Sequence, residues 1–478
     1  MSARLLASRV AGFTAALLFA LHPVHTEAVA NVVGRAEILA AISVLGALAH
    51  LVSDEAPSLR RTVSAAAFFA LGLLSKENAV ALVPIWAMVV FYRTPGRLAT
   101  RLRAAAADYR LWVLVAVAVA YLALRHAVLG TIAPGVQPEI TYVENPLAFT
   151  GTRVRVLTAV KVLGRYLGLV VWPFHLSADY SFNQIPLVLS PLDRGFLVAA
   201  AALAGCGAGA LALARTHGIY LLSYGFFLAA LLPVSNLLIP IGTIMAERFL
   251  YLPSVAAVWA IARLFQAAGW TERWEDGGAQ GFGLDKGPVL VLIAILAPWS
   301  AHTVLRNAEW KDNLRLFESA RRAAPASAKV RTQLGDSYFA TGDYPAAVAA
   351  YRAALRIYPD YAGAAINLAS AYDALGSYDE ALALLQSFEG RSGPFETARL
   401  RETARARIGK RDFAAAAELY RAVLAAADSD ALAHRNLGAL YLEHLGRAEE
   451  GKAHLRRSLE LAPDQPGAAE MRAALGVR

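Results

Sequence analysis

The sequence predicts an all-α protein in two parts: a polytopic α-helical membrane domain over residues 1–305, then an α-solenoid of repeats over 328–478. Three observations carry that expectation. The chain is 57% apolar and only 17% charged, with a mean hydropathy of +0.43, too apolar for a soluble protein of 478 residues and too charged for one embedded throughout. Apolar runs approaching the ~20 residues a bilayer-spanning helix needs recur through the first part. From about residue 328 the sequence repeats itself with a period of 34.

The apolar runs lie at about 5–21, 36–52, 62–74, 79–92, 111–129, 195–214, 219–240, 249–266 and 287–305, which gives about nine spans. The run 154–172 is set apart. It carries Arg153, Arg155, Lys161 and Arg165, and a charge at a helix centre costs roughly 2.5–3.5 kcal/mol even on lenient insertion scales. An amphipathic helix in the membrane interface is therefore expected there. Net charge is +9, and the arginines cluster between apolar runs, where they orient the chain and do not mark a nucleic-acid surface. With 154–172 not crossing, Arg4, Arg9, Arg60, Arg61, the segment 93–110 and Arg215 share the cytoplasmic side. The segments 22–35, 75–78, 130–194 and 241–248, with everything after 305, fall on the other side. Scarce lysine beside abundant alanine and arginine points to a bacterial inner membrane with the repeats periplasmic. The one cysteine, Cys206, excludes an intramolecular disulfide. Leu5–Leu21 has a basic start but runs into His22-Pro23 without a small-residue cleavage site.

Nearly all the unusual polar residues fall on the expected external side. The stretch His22–Arg35 interrupts two apolar runs with His22, His25, Glu27, Asn31 and Arg35. On a continuous helix started by Pro23, Glu27, Asn31 and Arg35 share one face at i, i+4 and i+8. Lys76 and Glu77 stand between two apolar runs with almost no loop to solvate them, and Glu247 and Arg248 abut another, close to Tyr251. Ionisable groups near the hydrocarbon edge are functional candidates by default.

Each candidate has a plainer reading. His22, His25 and Glu27 suit a divalent metal, a substrate phosphate or sugar with Glu27 as acid/base and Arg35 as phosphate clamp, or simple capping and snorkelling. Only three ligands are in view, so no metal site is assigned. Ser75 as an N-cap with Glu77 in the first turn would explain Lys76-Glu77 structurally. Asp179-Tyr180 lies in a proline-bounded loop where aspartate is common for turn reasons. A polar, cationic site at the membrane edge suits a lipid-linked phosphate substrate.

The repeats fall at 328–361, 362–395, 397–430 and 431–466, with 306–327 as a connecting helix. Leu334-Gly335, Tyr338, Tyr344, Ala347, Tyr351 and Pro359 of the first recur as Leu368, Tyr372, Tyr378 and Ala381, more weakly as Phe413, Ala416 and Tyr420, and again as Leu437-Gly438, Tyr441 and Pro463. This is the tetratricopeptide pattern, whose stacked helix pairs form concave peptide-binding surfaces.

The stretches "AALLFALHPVHTEAVANVVGRAEILAA", "LLSKENA", "NPLA", "LSADYS", "AERFLYLPS" and "RNAEWKDNLRLF", followed by these repeats, resemble the TMTC-type transmembrane and tetratricopeptide-repeat proteins of the GT-C glycosyltransferase class. The resemblance implies transfer of mannose or a similar sugar from a polyprenyl-phosphate donor to a protein hydroxyl on the extracytoplasmic face, with the repeats engaging the protein partner. It implies site roles for His22, His25, Glu27, Asn31, Arg35, Lys76, Glu77, Asp179, Tyr180, Glu247, Arg248 and Tyr251. Family members begin with a helix and an acidic first external loop for which no counterpart is recognised here. Glu27 is then the remaining candidate base, and a non-catalytic, membrane-anchored repeat scaffold is the competing expectation.

Overall fold

The computed structural model describes residues 1–6, 8–52, 57–130, 140–268 and 286–476; of the expected external segment 130–194, residues 131–139 lie outside the described residues. Among the described residues the regular structure is helical throughout, with no strand. The chain divides into two compact units, Met1–Ala326 and Ser327–Arg478.

The first unit contains α1 (Arg9–Ala20), α2 (Arg35–Leu51), α3 (Leu59–Ser75), α4 (Leu82–Arg93), α5 (Leu98–Ala107), α6 (Tyr109–Leu129), α7 (Thr152–Val171), α8 (Arg194–Leu213), α9 (Ile219–Leu231), α10 (Ser254–Ala267), α11 (Lys286–Glu309) and α12 (Asn313–Ala323). Four of its apolar stretches have the length and composition to cross a bilayer: Val32–Leu51, Tyr109–Leu129, Arg194–Leu213 and Gly287–Glu309. Arg9–Ala20, Ile219–Val234 and Ser254–Ala267 are apolar but shorter. Leu39, Ile42, Val119, Leu124, Val198, Leu211, Leu290 and Ile293 are exposed on four of these helices, and such an outward apolar face belongs in hydrocarbon. Inside, Phe69, Trp86, Phe226 and Trp259 are buried in one continuous core.

Helix α7 occupies the stretch set apart by its charges. It buries Thr158, Ala159, Val162, Leu163, Tyr166 and Val170 on one side and leaves Arg153 exposed. Lys161 sits on the inner face, where it is paired with Asp193 at 3.3 Å and donates to the Pro186 carbonyl at 3.4 Å. Contact with α8 runs through Gly164. A Cβ there would lie 2.3 Å from that of Ala199, so only glycine allows this approach.

The second unit stacks α13 (Ala328–Ala340), α14 (Tyr344–Ile357), α15 (Ala362–Ala374), α16 (Tyr378–Ser387), α17 (Glu396–Gly409), α18 (Phe413–Ala426), α19 (Ala431–Glu443), α20 (Ala448–Leu461) and α21 (Ala468–Leu475). The small residues do what the period predicted. Gly335 receives the Tyr351 ring and Gly438 receives Leu455, so each helix pair closes over its partner. The turns within the first, second and fourth pairs use Gly342, Gly376 and Gly446 at positive φ. In the third, Arg411 takes φ +61°, a conformation glycine adopts without strain. That replacement is part of why the third repeat reads weakly in the sequence.

Replacing Gly164 by alanine should force α7 off α8 and cost about 1–3 kcal/mol, read as a lower melting temperature of the detergent-solubilised chain. The double variant Gly164→Ala/Ala199→Gly should recover most of that loss.

Candidate functional site

The stretch His22–Arg35 does not form the continuous helix expected of it. Pro23–His25 is a 3-10 turn, Thr26–Ala30 one short helical segment, and Val32–Gly34 a second 3-10 turn before α2 begins. Asn31 breaks the run: its backbone is extended (ψ 127°) and its Oδ1 caps the Val33 N–H at 3.1 Å. Glu27, Asn31 and Arg35 therefore share no helical face. Glu27 points inward and is buried, whereas Arg35 is exposed.

Glu27 finds its partner 221 residues away. The Arg248 guanidinium hydrogen-bonds its Oε1, and the Arg248 backbone N–H donates to Oε2 at 3.0 Å. Burial works against the Arg248 charge, and Glu27, followed by Glu37, outweighs it and holds the guanidinium in its charged form. The neighbouring Glu247 points the other way. Its Oε1 accepts from the Ser177 N–H at 2.5 Å and from the Tyr180 hydroxyl at 2.6 Å. Complete burial pushes its carboxyl up to about 8 against the pull of the Arg306 guanidinium, with Glu27 adding to the rise.

The two histidines are fixed in the same way. His22 Nδ1 accepts from the Val24 N–H, and its Nε2 meets the Val170 carbonyl at 3.0 Å. His25 Nε2 lies 2.8 Å from the Ser254 hydroxyl, and its ring packs on Phe19 and on Tyr251, with centroids 4.3 and 4.9 Å away. Burial lowers His22 to about 4, and burial together with His22 holds His25 well below its usual range. With both Nε2 atoms occupied and Glu27 turned to Arg248, these three side chains do not converge on a common point. Among the described residues no three His, Cys, Asp or Glu side chains gather as metal ligands.

Lys76 completes the cluster through a carboxylate the sequence did not single out. Its Nζ lies 3.1 Å from Glu37 Oε1, and Asn78 donates to Glu37 Oε2. Ser75 is not the expected N-cap: its hydroxyl donates back to the Leu71 carbonyl at the end of α3, and Lys76 itself occupies the capping position. Glu77 leaves the cluster and pairs with Arg125 of α6 at 2.6 Å. Asp179 bonds the N–H and hydroxyl of Ser181 at 2.8 and 2.9 Å, which is a turn-forming role. Glu37 and Tyr166 are participants that the sequence did not single out, whereas Asn78, Ser177, Ser254 and Arg306 stood in the quoted polar stretches without being given a site role. Glu37 carried a signal as a carboxylate inside an apolar run. Val170, whose carbonyl meets His22, also lines an almost wholly apolar cavity of about 310 Å³ together with Leu167, Ala210, Tyr220, Ala256 and Ile261.

The comparisons agree with the motifs. The family described as "Protein O-mannosyl-transferase TMTC, DUF1736" matches residues 135–207, and the tetratricopeptide-repeat family matches 301–362, 332–396 and 401–466. The first repeat match thus takes in the stretch expected as a connector. The chain is 28% identical over 398 residues to mouse "Protein O-mannosyl-transferase TMTC3", covering 79% of this chain and 42% of that one. It is 30% identical over 378 residues to human "Protein O-mannosyl-transferase TMTC4", covering 71% and 48%. It therefore spans less than half the length of these relatives. Among solved structures, TTC0263, a thermophilic tetratricopeptide-repeat protein of Thermus thermophilus, is 21% identical over 40% of this chain and 99% of its own, with a TM-score of 0.32. YrrB, a tetratricopeptide-repeat protein described as having an unusual peptide-binding site, is 19% identical over 40% of this chain and 92% of its own, with a TM-score of 0.28. As its motifs predicted, the chain is similar to the TMTC proteins over most of its length.

Two outcomes follow from the geometry. Removing one partner of a buried ion pair strands the other, so Arg248→Met should cost about 3–5 kcal/mol, and Glu27→Gln/Arg248→Met should recover much of it; thermal melts of the solubilised chain check this. The second concerns pH. The lowered pKa of His22 gives stability that is full above pH 6.5 and lost as pH falls toward 4. The raised pKa of Glu247 gives stability present below pH 4.5 and lost as pH rises through about 8. Melts across that range should show His22→Gln flattening the acid limb and Glu247→Gln the alkaline one.

Proposed function

We propose that the protein is a membrane glycosyltransferase of the O-mannosyl-transferase type, moving a sugar from a polyprenyl-phosphate donor to a hydroxyl of a protein acceptor on the extracytoplasmic face. The observation that carries this reading is the gathering of Lys76 and Arg248, each beside a buried carboxylate, with Glu37 acting on both cations; the apolar cavity shares Val170 with the His22 contact. The similarity to proteins named O-mannosyl-transferases supports it. The cavity suits the first units of an isoprenoid chain, and the two cations suit its phosphate.

About nine spans remain our count, with α7 lying at the interface. Supporting that placement, α7 touches connecting segments along its length: Lys161 meets Asp193, Tyr166 Oη accepts from the Ala246 N–H, and Val170 meets His22. The arginine distribution supports placing the repeats on the extracytoplasmic side, and scarce lysine beside abundant alanine and arginine supports a bacterial inner membrane.

The chemistry proceeds by exchange of partners. A donor phosphate draws Arg248 from Glu27 and Lys76 from Glu37. The bond between the sugar's anomeric carbon and the phosphate oxygen breaks, and its electron pair leaves with the polyprenyl phosphate, whose charge the two cations stabilise. The acceptor hydroxyl attacks the anomeric carbon, and its proton goes to Glu27, freed for that step. His22, His25, Tyr180, Glu247 and Tyr251 hold the segments that carry these groups. Asn31, Arg35, Glu77 and Asp179 lie outside this core and would meet only the sugar or the acceptor.

A second reading has its own support. Glu27, Glu37 and Glu247 are all engaged at rest, as a non-catalytic scaffold would require. Transfer of radiolabelled mannose from polyprenyl-phosphate mannose by the full gene product in nanodiscs decides between them. The enzyme reading expects transfer, reduced at least about tenfold by Lys76→Gln or Glu27→Gln. No transfer from any polyprenyl-phosphate sugar, with deletion rescued by the repeats on an unrelated anchor, establishes the scaffold.

A further inference from the structure

Helix α5 joins α4 to α6 yet takes almost no part in the core of the unit: Ala105 is its one buried residue. Its 10 residues reach about 15 Å, too short to cross a bilayer. Both ends are set off from the neighbouring helices. Gly96, at φ +110°, turns the chain after α4, and Asp108 caps α6 by accepting from the Arg110 N–H at 2.9 Å. The Trp112 indole N–H then donates to the Ala106 carbonyl at 2.8 Å, which holds the end of α5 against the first turn of α6. Because Tyr109–Leu129 is long and apolar enough to span, α5 is held at the level where that span begins.

The outer surface of α5 is amphipathic. Leu98 and Leu102, one turn apart, are 64% and 54% exposed, and the rings of Tyr109 and Trp112 stand exposed just beyond them. Arg97 and Arg103 are also exposed, and neither pairs with a carboxylate among the described residues. Further arginines belong to the same end of the unit. The Thr62 hydroxyl lies 3.1 Å from that of Tyr109, which brings the start of α3 alongside with Arg60. The Tyr92 ring packs on Gly218, where a Cβ would lie 2.9 Å from it, and this brings in Arg215 from the turn before α9. Across 58–62, 93–112 and 213–218 the single carboxylate is Asp108, while Asp54 and Glu55 lie outside the described residues. Asp108 is itself taken by the Arg110 side chain, at 2.9 and 2.5 Å.

We propose that α5 lies in the membrane interface and docks on the headgroups of acidic phospholipids, with Leu98 and Leu102 at the hydrocarbon edge and Arg97 and Arg103 on the phosphates, joined by Arg60 and Arg215. A soluble acidic partner would meet the charges and leave the leucines and the two rings in water. A lipid surface takes both, since apolar side chains enter the acyl boundary while guanidinium groups fork onto phosphate oxygens. So short a helix would bind weakly if it were free. Tethered at the interface by α4 and α6, it meets the headgroups at high effective concentration. This docking needs no sugar transfer and stands apart from the function proposed above.

The test uses the full chain in detergent micelles, with a nitrobenzoxadiazole label on Ala106→Cys in a Cys206→Ala background, one turn from Leu102. Short-chain phosphatidylglycerol added to the micelles should blue-shift the emission saturably, at a concentration about tenfold or more below that needed of phosphatidylcholine. Raising salt from about 0.05 to 0.5 M should weaken the phosphatidylglycerol response. Arg97→Gln/Arg103→Gln should raise its midpoint about tenfold or more, whereas Arg153→Gln on α7 should leave it in place. Leu98→Ser/Leu102→Ser should remove the blue shift with the arginines intact. Equal midpoints for the two lipids, a blue shift that survives both double substitutions, or an equal loss in Arg153→Gln overturns the proposal. So does a response to a polyanionic oligonucleotide with which phosphatidylglycerol does not compete, which would assign the arginines to nucleic acid.

Discussion

The ion pair between Glu27 and Arg248 is the constraint on which the rest of the first unit depends. Glu27 is 1% exposed, and a carboxylate cannot stay charged in such surroundings without a partner. Its partner arrives from the far end of the unit's sequence, and the Arg248 backbone N–H joins the guanidinium in holding it. Two irregular connections are thereby locked face to face. Glu247 is turned by the same backbone toward Ser177 and Tyr180, so a third connection is drawn in. His22 and Tyr166 then attach α7 to both sides. The site is less a pocket in a preformed bundle than the knot that ties the connecting segments.

That knot explains why broken backbone is tolerated among apolar helices. Non-helical segments at this depth survive only where their polar groups are satisfied inside the protein. Asn145, wholly buried, caps the Leu147 N–H and reaches Asn236 Oδ1 and the Ile241 carbonyl at 2.8 and 2.6 Å. Asn236, at φ +60°, returns its own amide to the carbonyls of Thr243 and Ile244. The "NPLA" motif is thus a structural splice, and its asparagine does for the backbone what the glutamates do for the cations.

What the sequence made legible follows from the reach of each signal. Hydropathy and the 34-residue period are summed over many residues, so the helical membrane unit and the repeats could be read directly. The polar residues at helix ends were conspicuous by type, but partnership is not a local property. Nothing near Glu27 says that it will meet Arg248, and nothing in "RNAEWKDNLRLF" says that Arg306 will bear on Glu247. The helical stripe of Glu27, Asn31 and Arg35 failed for a local reason. Asn31 caps a new turn more favourably than it continues a helix, and Gly34 packs against the Ala28 backbone, where a Cβ would lie 2.4 Å from its carbonyl oxygen.

The resting pairs also shape how a ligand would enter. A bare Lys76 or Arg248 at the hydrocarbon edge would bind phosphate strongly but would be costly to hold in the folded chain. Pairing each with a buried carboxylate removes that cost and turns binding into an exchange of one anion for another. Affinity for the proposed donor would then be the difference between two similar interactions, so a product phosphate would not be trapped. The exchange also leaves a carboxylate suddenly unpaired in a weakly polar site, where taking up a proton is its most favourable course. Under the function proposed above, one arrangement would both stabilise the fold at rest and supply a base only where an anion has bound.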